Sequence, residues 1–143
     1  MLAVNSTNAD KQVTPNVLAC AIKHNGPVSG EERYWNPSTE QDGSTTYFFR
    51  GRKLRGKMIA LPEGYEGVVL QKTDKKVITK PSIPVPGDED DLVAPKEIET
   101  TIMDQHARFG EIMVWDHEAV PEGTDVYVKG IEEWIGFAEA VCG

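Results

Sequence analysis

Thirteen glycines and nine prolines cut this chain of 143 residues into short pieces. Gly and Pro are the strongest local punctuation a sequence carries, so most of what lies between them is expected to be strand and turn rather than long helix. A chain of this length buries roughly two-thirds of its unfolded surface, enough for a core of its own. The expected class is therefore mainly β, with many short antiparallel strands.

Residues 1–15 are polar and without period and read as a disordered arm, and residues 16–143 as a single domain. Val17 to Ile22 reads as a strand that stops at the turn signal His24-Asn25-Gly26-Pro27. Residues 28–44 read mostly as loop, pinned by Tyr34 and Trp35. Thr45-Thr46-Tyr47-Phe48-Phe49 has strong strand composition, and a bulge at Gly51 would return Leu54 to the face of Tyr47 and Phe49. Met58–Leu61 and Val68–Leu70 flank a Gly-containing loop in the manner of a hairpin. Residues 72–96 pass from lysines through Pro81, Pro84 and Pro86 to Asp88-Glu89-Asp90-Asp91, a flexible acidic loop. Ile98–Met103 and Phe109–Trp115 resume as strands. Ile131, Trp134, Ile135, Ala138 and Val141 recur at three and four and predict a C-terminal α-helix.

Charge narrows function further. Arg50, Arg52, Lys53, Arg55 and Lys57 lie within eight positions that contain no acid, in a chain of formal charge −8 and pI near 4.9. So acidic a protein does not coat nucleic acid, because displacing counterions from phosphates takes an excess of cations. A local contact with phosphate or with an acidic partner fits; lysines and arginines guarding an edge strand are the plainer alternative.

Catalytic sets are weak. Four adjacent acids in a Pro-rich stretch lack the separate rigid supports of a two-metal site. His24, His106 and His117 show no short ligand spacing, and Cys20 and Cys142 form no C-x-x-C pair, so neither a metal nor another cofactor is expected. A small buried cysteine is the usual state of such thiols. No apolar stretch suggests a signal peptide or a membrane span, so reduced thiols in the cytosol or nucleus are expected and the sequon Asn5-Ser6-Thr7 is read as chance.

Phe49-Arg50-Gly51-Arg52-Lys53-Leu54-Arg55-Gly56, followed by Ile59-Ala60-Leu61-Pro62 and Gly67-Val68-Val69, resembles the central signature of the C subunit of the eukaryotic type 2 ribonuclease H complex. Leu18-Ala19-Cys20 with Gly26-Pro27-Val28, Phe109–Trp115 with Val120-Pro121, and Val128-Lys129-Gly130 with Trp134 resemble further blocks in the same order. The resemblance implies a non-catalytic subunit of a heterotrimer that degrades RNA in RNA/DNA hybrids and incises DNA at embedded ribonucleotides. It further implies that the A subunit holds the catalytic carboxylates, that the β-barrel is interwoven with the B subunit, and that the location is the nucleus, with the cytoplasm as a second. Within that frame Arg50, Arg52, Lys53, Arg55 and Lys57 are candidate partner or phosphate contacts, and Phe48, Phe49, Val114 and Trp115 candidates for assembly or core. The rivals are a freestanding OB-like module that binds single-stranded nucleic acid and, further off, a small hydrolase.

Overall fold

The computed structural model describes residues 1–6, 10–79 and 97–142. In chain order the elements are β1 (Leu2–Asn5), β2 (Asn16–Val17), α1 (Glu31–Tyr34), β3 (Ser38–Thr39), β4 (Thr45–Phe49), β5 (Arg52–Ala60), β6 (Gly67–Thr79), β7 (Ile98–Phe109), β8 (Glu111–His117) and α2 (Val126–Cys142). The mainly β class with a C-terminal helix is borne out, in two mixed sheets; among the described residues neither closes into a barrel. By their contacts the residues form two compact units, Met1–Gln12 with Val68–Arg108 and Val13–Gly67 with Phe109–Gly143, where one domain was expected over residues 16–143.

The first unit holds a three-stranded sheet in the order β1-β7-β6. Its first strand corrects the expectation of a disordered arm over residues 1–15. Leu2 to Asn5 pair in parallel with Thr101 to Asp104, Asn5 Nδ2 donates to Asp104 Oδ1 at 3.0 Å, and Gln12 bridges to Arg108. A polar segment can be ordered when a long strand offers it a free edge, since the ladder bonds are made by the backbone whatever the side chains. The same correction applies to residues 72–79, expected as loop and found within β6. Their polar composition fits a strand exposed on its surfaces: Lys76 pairs with Glu99 at 2.9 Å and the Thr73 hydroxyl donates to the Ile102 carbonyl at 2.7 Å. The rest of that expected loop, residues 80–96, lies outside the described residues.

The second unit is a five-stranded sheet ordered β2-β8-β5-β4-β3, antiparallel except that β2 runs parallel to β8. Alternation decides its two faces. Ile59 and Val114 point to one face and pack with Val128 of α2, and Val17, Ile131 and Ile135 surround them. On the other face Trp115 lies opposite Gly56 and is 2% exposed. Trp35 meets it edge-on at 5.6 Å and stacks at a tilt on Tyr47 at 4.4 Å, so Trp35 does pin its loop, whereas Tyr34 is exposed. A Cβ on Gly56 would stand 2.9 Å from the Trp115 ring; the glycine is what lets the indole lie against the strand.

Three further expectations change. The strand predicted over Val17–Ile22 stops at Val17, because only Asn16 and Val17 find partners on β8. The predicted hairpin of Met58–Leu61 with Val68–Leu70 does not form: β5 already has β4 and β8 on its two edges, and β6 pairs with β7. Helix α2 starts earlier than its apolar repeat. Asp125 caps it, with Oδ1 accepting from the amides of Tyr127 at 2.9 Å and Val128 at 3.0 Å.

Candidate functional site

The basic segment is a hairpin. Arg50 and Gly51 have φ of 50° and 77°, and Phe49 pairs with Arg52 across them, the geometry of a two-residue type I′ turn between β4 and β5. This replaces the expected bulge at Gly51. Both devices need a left-handed glycine, and both put Tyr47, Phe49 and Leu54 on one face, so the alternation alone could not separate them. The consequence for the cations is large: Arg50 and Arg52 sit at a tip, whereas Lys53, Arg55 and Lys57 alternate along β5 with buried Leu54 and Gly56.

Each of the three strand cations meets an acid of this chain. Lys53 Nζ lies 2.8 Å from Glu40, Arg55 2.6 Å from Asp42, and Lys57 3.3 Å from Glu132 of α2. Ser44 completes the middle pair. Its hydroxyl donates to Asp42 Oδ1 at 2.6 Å and its amide at 2.9 Å, and Arg55 also donates to its oxygen at 2.7 Å. These bonds from Ser44, and then the Arg55 guanidinium, lower the Asp42 carboxyl from 3.8 to about 2. Glu40 is likewise lowered, first by its bond from Lys53. Exposed ion pairs of this kind are worth little in stability, but they neutralise the strand locally.

The sequence reading missed Glu40, Asp42 and Ser44, having taken residues 28–44 mostly as loop. A signal was available, since Asp42-Gly43 is a strong hairpin dipeptide; β3 and β4 pair across it, with Ser38 opposite Thr46. At the tip, Arg50 lies over the Phe49 ring at 5.3 Å. Among the described residues no acid stands within ion-pair distance of Arg50 or Arg52. Phe48 beside them is 65% exposed and Phe49 half-buried, whereas Val114 and Trp115 are buried in the unit's own packing. Trp115 is also fixed through Nε1, which donates to Asn16 Oδ1 at 2.8 Å.

The other polar candidates do not converge. His24 and His106 are exposed, and His117 Nε2 lies 3.2 Å from the Ala19 carbonyl. Cys20 and Cys142 are free and exposed, against the expectation that they be buried. Among the described residues no three His, Cys, Asp or Glu gather as metal ligands, and Asp88 to Asp91 lie outside those residues. No helix among the described residues is long and apolar enough to cross a membrane.

Comparison with known proteins decides what this hairpin and sheet belong to. The profile of a family described as the ribonuclease H2 non-catalytic subunit (Ylr154p-like) matches residues 14–141. The chain belongs to that family. The C subunit of ribonuclease H2 from Bos taurus is 28% identical over 132 residues, covering 88% of this chain and 78% of the bovine one; its counterpart in Mus musculus is 26% identical over the same lengths. An uncharacterised protein of Schizosaccharomyces pombe, C12B10.15c, is 29% identical over 140 residues, covering 95% of this chain and 85% of its own. This chain is accordingly a non-catalytic, accessory subunit of the ribonuclease H2 complex. The hydrolase and the freestanding OB-like module fall away as readings.

Proposed function

We propose that this chain completes a β-barrel with the B subunit of the complex and thereby holds the catalytic A subunit, which cleaves RNA in RNA/DNA hybrids and incises DNA at misincorporated ribonucleotides. The observation that carries it is the sheet of the first unit. β6, of 13 residues, and β7, of 12, form a ribbon to which β1 adds four residues on the far side of β7. Its only buried apolar side chain among the described residues is Ala107, beside buried Thr100 and Gln105. Val68, Val69, Val77, Ile78 and Ile98 stay 40 to 56% exposed. Three strands without an apolar core do not hold alone, and β6 offers one long edge to a strand from another chain.

The heterotrimer acts in the nucleus, with the cytoplasm as a second location, which fractionation of a tagged chain tests. Hybrid is reached through the complex. Within the basic segment, Arg50 and Arg52, rather than the paired Lys53, Arg55 and Lys57, are the cations available to phosphate. Replacing either by Ala should lower the log-log salt slope of hybrid binding by about one, whereas Arg55→Ala should leave it unchanged.

The central experiment is hydrogen exchange on the chain alone and in the reconstituted complex. The β6 amides should gain protection only on assembly, and the lone chain should aggregate or melt without cooperativity. A sharp, concentration-independent melt of the lone chain, with β6 exchanging equally in both states, would refute the shared barrel.

A further inference from the structure

The β4–β5 tip carries different groups on its two faces. Alternation puts Phe49 and Arg52 on the face of Leu54 and Gly56, with the Arg50 guanidinium over the Phe49 ring. Phe48 stands opposite Lys53 on the other face, the one that Ile59 and Val114 share. Helix α2 meets that second face lower down β5, at Lys57 and Ile59. Phe48, nearer the tip, is 65% exposed. Its neighbour Lys53 is held by Glu40 at 2.8 Å, whereas among the described residues Arg50 and Arg52 have no acid within ion-pair distance. A bare ring and two unpaired guanidinium groups therefore project from one stiff turn, where Arg50 and Gly51 hold φ of 50° and 77°.

We propose that Phe48 packs on a deoxyribose of the DNA strand of the hybrid while Arg50 and Arg52 take phosphates beside it, so that Phe48 favours DNA opposite the RNA. It rests on the reading that this tip meets substrate phosphate. Arg50 follows Phe48 by two residues, so the two leave the ribbon within about 7 Å of each other, roughly two nucleotide steps at 3.4 Å each.

The shape and the chemistry of the tip select this contact. A ribbon end with working groups on both faces suits a groove with two walls, and an A-form heteroduplex offers a wide, shallow minor groove bordered by sugars and phosphates. Base faces inside a duplex are already stacked on one another. Phenylalanine has no donor or acceptor, so pressing it on a ribose would bury a 2′-hydroxyl without a partner. Deoxyribose carries no such group at that carbon. Of the two strands of a hybrid, only the DNA gives the ring an apolar surface it can cover without that cost.

The test measures binding of the reconstituted complex by fluorescence anisotropy to two duplexes. One pairs a 2′-O-methyl RNA strand, which resists cleavage, with DNA; the other pairs the same strand with RNA of matching sequence. Phe48→Ala should weaken binding of the DNA-containing duplex about five- to tenfold, as losing part of a buried aromatic contact does. It should leave the salt slope of that binding unchanged, because the ring carries no charge, and leave the all-RNA duplex bound as before. Phe48→Thr, which keeps strand propensity without the ring, should behave as Phe48→Ala does.

A loss below twofold, an equal loss on both duplexes, or a fall in subunit assembly with hybrid binding intact overturns the proposal, the last by assigning the ring to a protein pocket. Arg50→Ala and Arg52→Ala separate it from the reading beneath it. If each lowers the salt slope by about one and the Phe48 variants bind as the parent does, the phosphate contact stands and the sugar contact falls. If neither arginine changes the slope, both fall.

Discussion

Replacing Gly56 by Ala adds one methyl group at the point where the second unit is packed most tightly. The new Cβ would stand 2.9 Å from two atoms of the Trp115 ring and 3.1 Å from the Met113 sulfur. Met113 is flexible and can give. Trp115 cannot do so cheaply, since it is 2% exposed, meets Trp35 edge-on and donates to Asn16. Inserting a methyl into such packing costs about 1–3 kcal/mol, and a shift that broke the Asn16 bond would add about 1 kcal/mol. Against this, Ala restricts the unfolded chain and recovers about 0.4–1 kcal/mol. The expected net loss is about 1–2 kcal/mol, roughly a five- to thirtyfold fall in protection. Hydrogen exchange of the β5 and β8 amides in the assembled complex reads this locally. A second substitution, Trp115→Leu, should absorb most of the effect, because it removes the ring that the methyl strikes. Unchanged protection in Gly56→Ala, or strict additivity with Trp115→Leu, would refute the packing argument.

Other outcomes follow from single contacts. Gly136→Ala, with nothing within 4 Å of its Cβ position, should stabilise α2 by about 0.5–1 kcal/mol, read as slower exchange of its amides. Asp125→Ala removes the cap and should cost about 1 kcal/mol, read as faster exchange in the first turn. Ser44→Ala should raise the Asp42 carboxyl from about 2 toward 3.8, more than Arg55→Ala does, followed by carboxyl NMR titration. Because the folded value lies below the unfolded one, Asp42 favours the folded state above pH 3.8, and that contribution disappears as pH falls toward 2. The Ser44→Ala chain should lose this part of its acid sensitivity.

Local composition told much of this. The β-branched and aromatic run Thr45–Phe49, the apolar Phe109–Trp115 and the spaced residues of α2 each carry a period, and each became the predicted kind of element. Pairing was less legible. Met58–Leu61 alternates as well for a partner at Val68 as for Glu111–Asp116, and only the long-range fit of Val114 and Trp115 to the two faces selects the second. Polar strands were hidden for another reason: β1 and the end of β6 are held by ladder bonds that leave no apolar mark. At the candidate site, the five cations were found as a cluster, but their division into three neutralised and two at a tip depended on Glu40, Asp42 and Glu132. Acids distant in sequence come within reach only through a turn and a helix.

The parallel ladder joining Asn5 to Asp104, 99 residues apart, carries a consequence for biogenesis. At about 5–20 residues per second, the first strand leaves the ribosome several seconds before its partner exists, and β2 waits similarly for Met113 and Val114. Neither sheet can close until β7 and β8, separated only by Gly110, have been made. The β3-β4-β5 hairpins can pair as they emerge, whereas the ladders to β1 and β2 form late. During that interval the nascent chain keeps its strand edges uncovered, and chaperones or companion subunits have their opportunity to engage it.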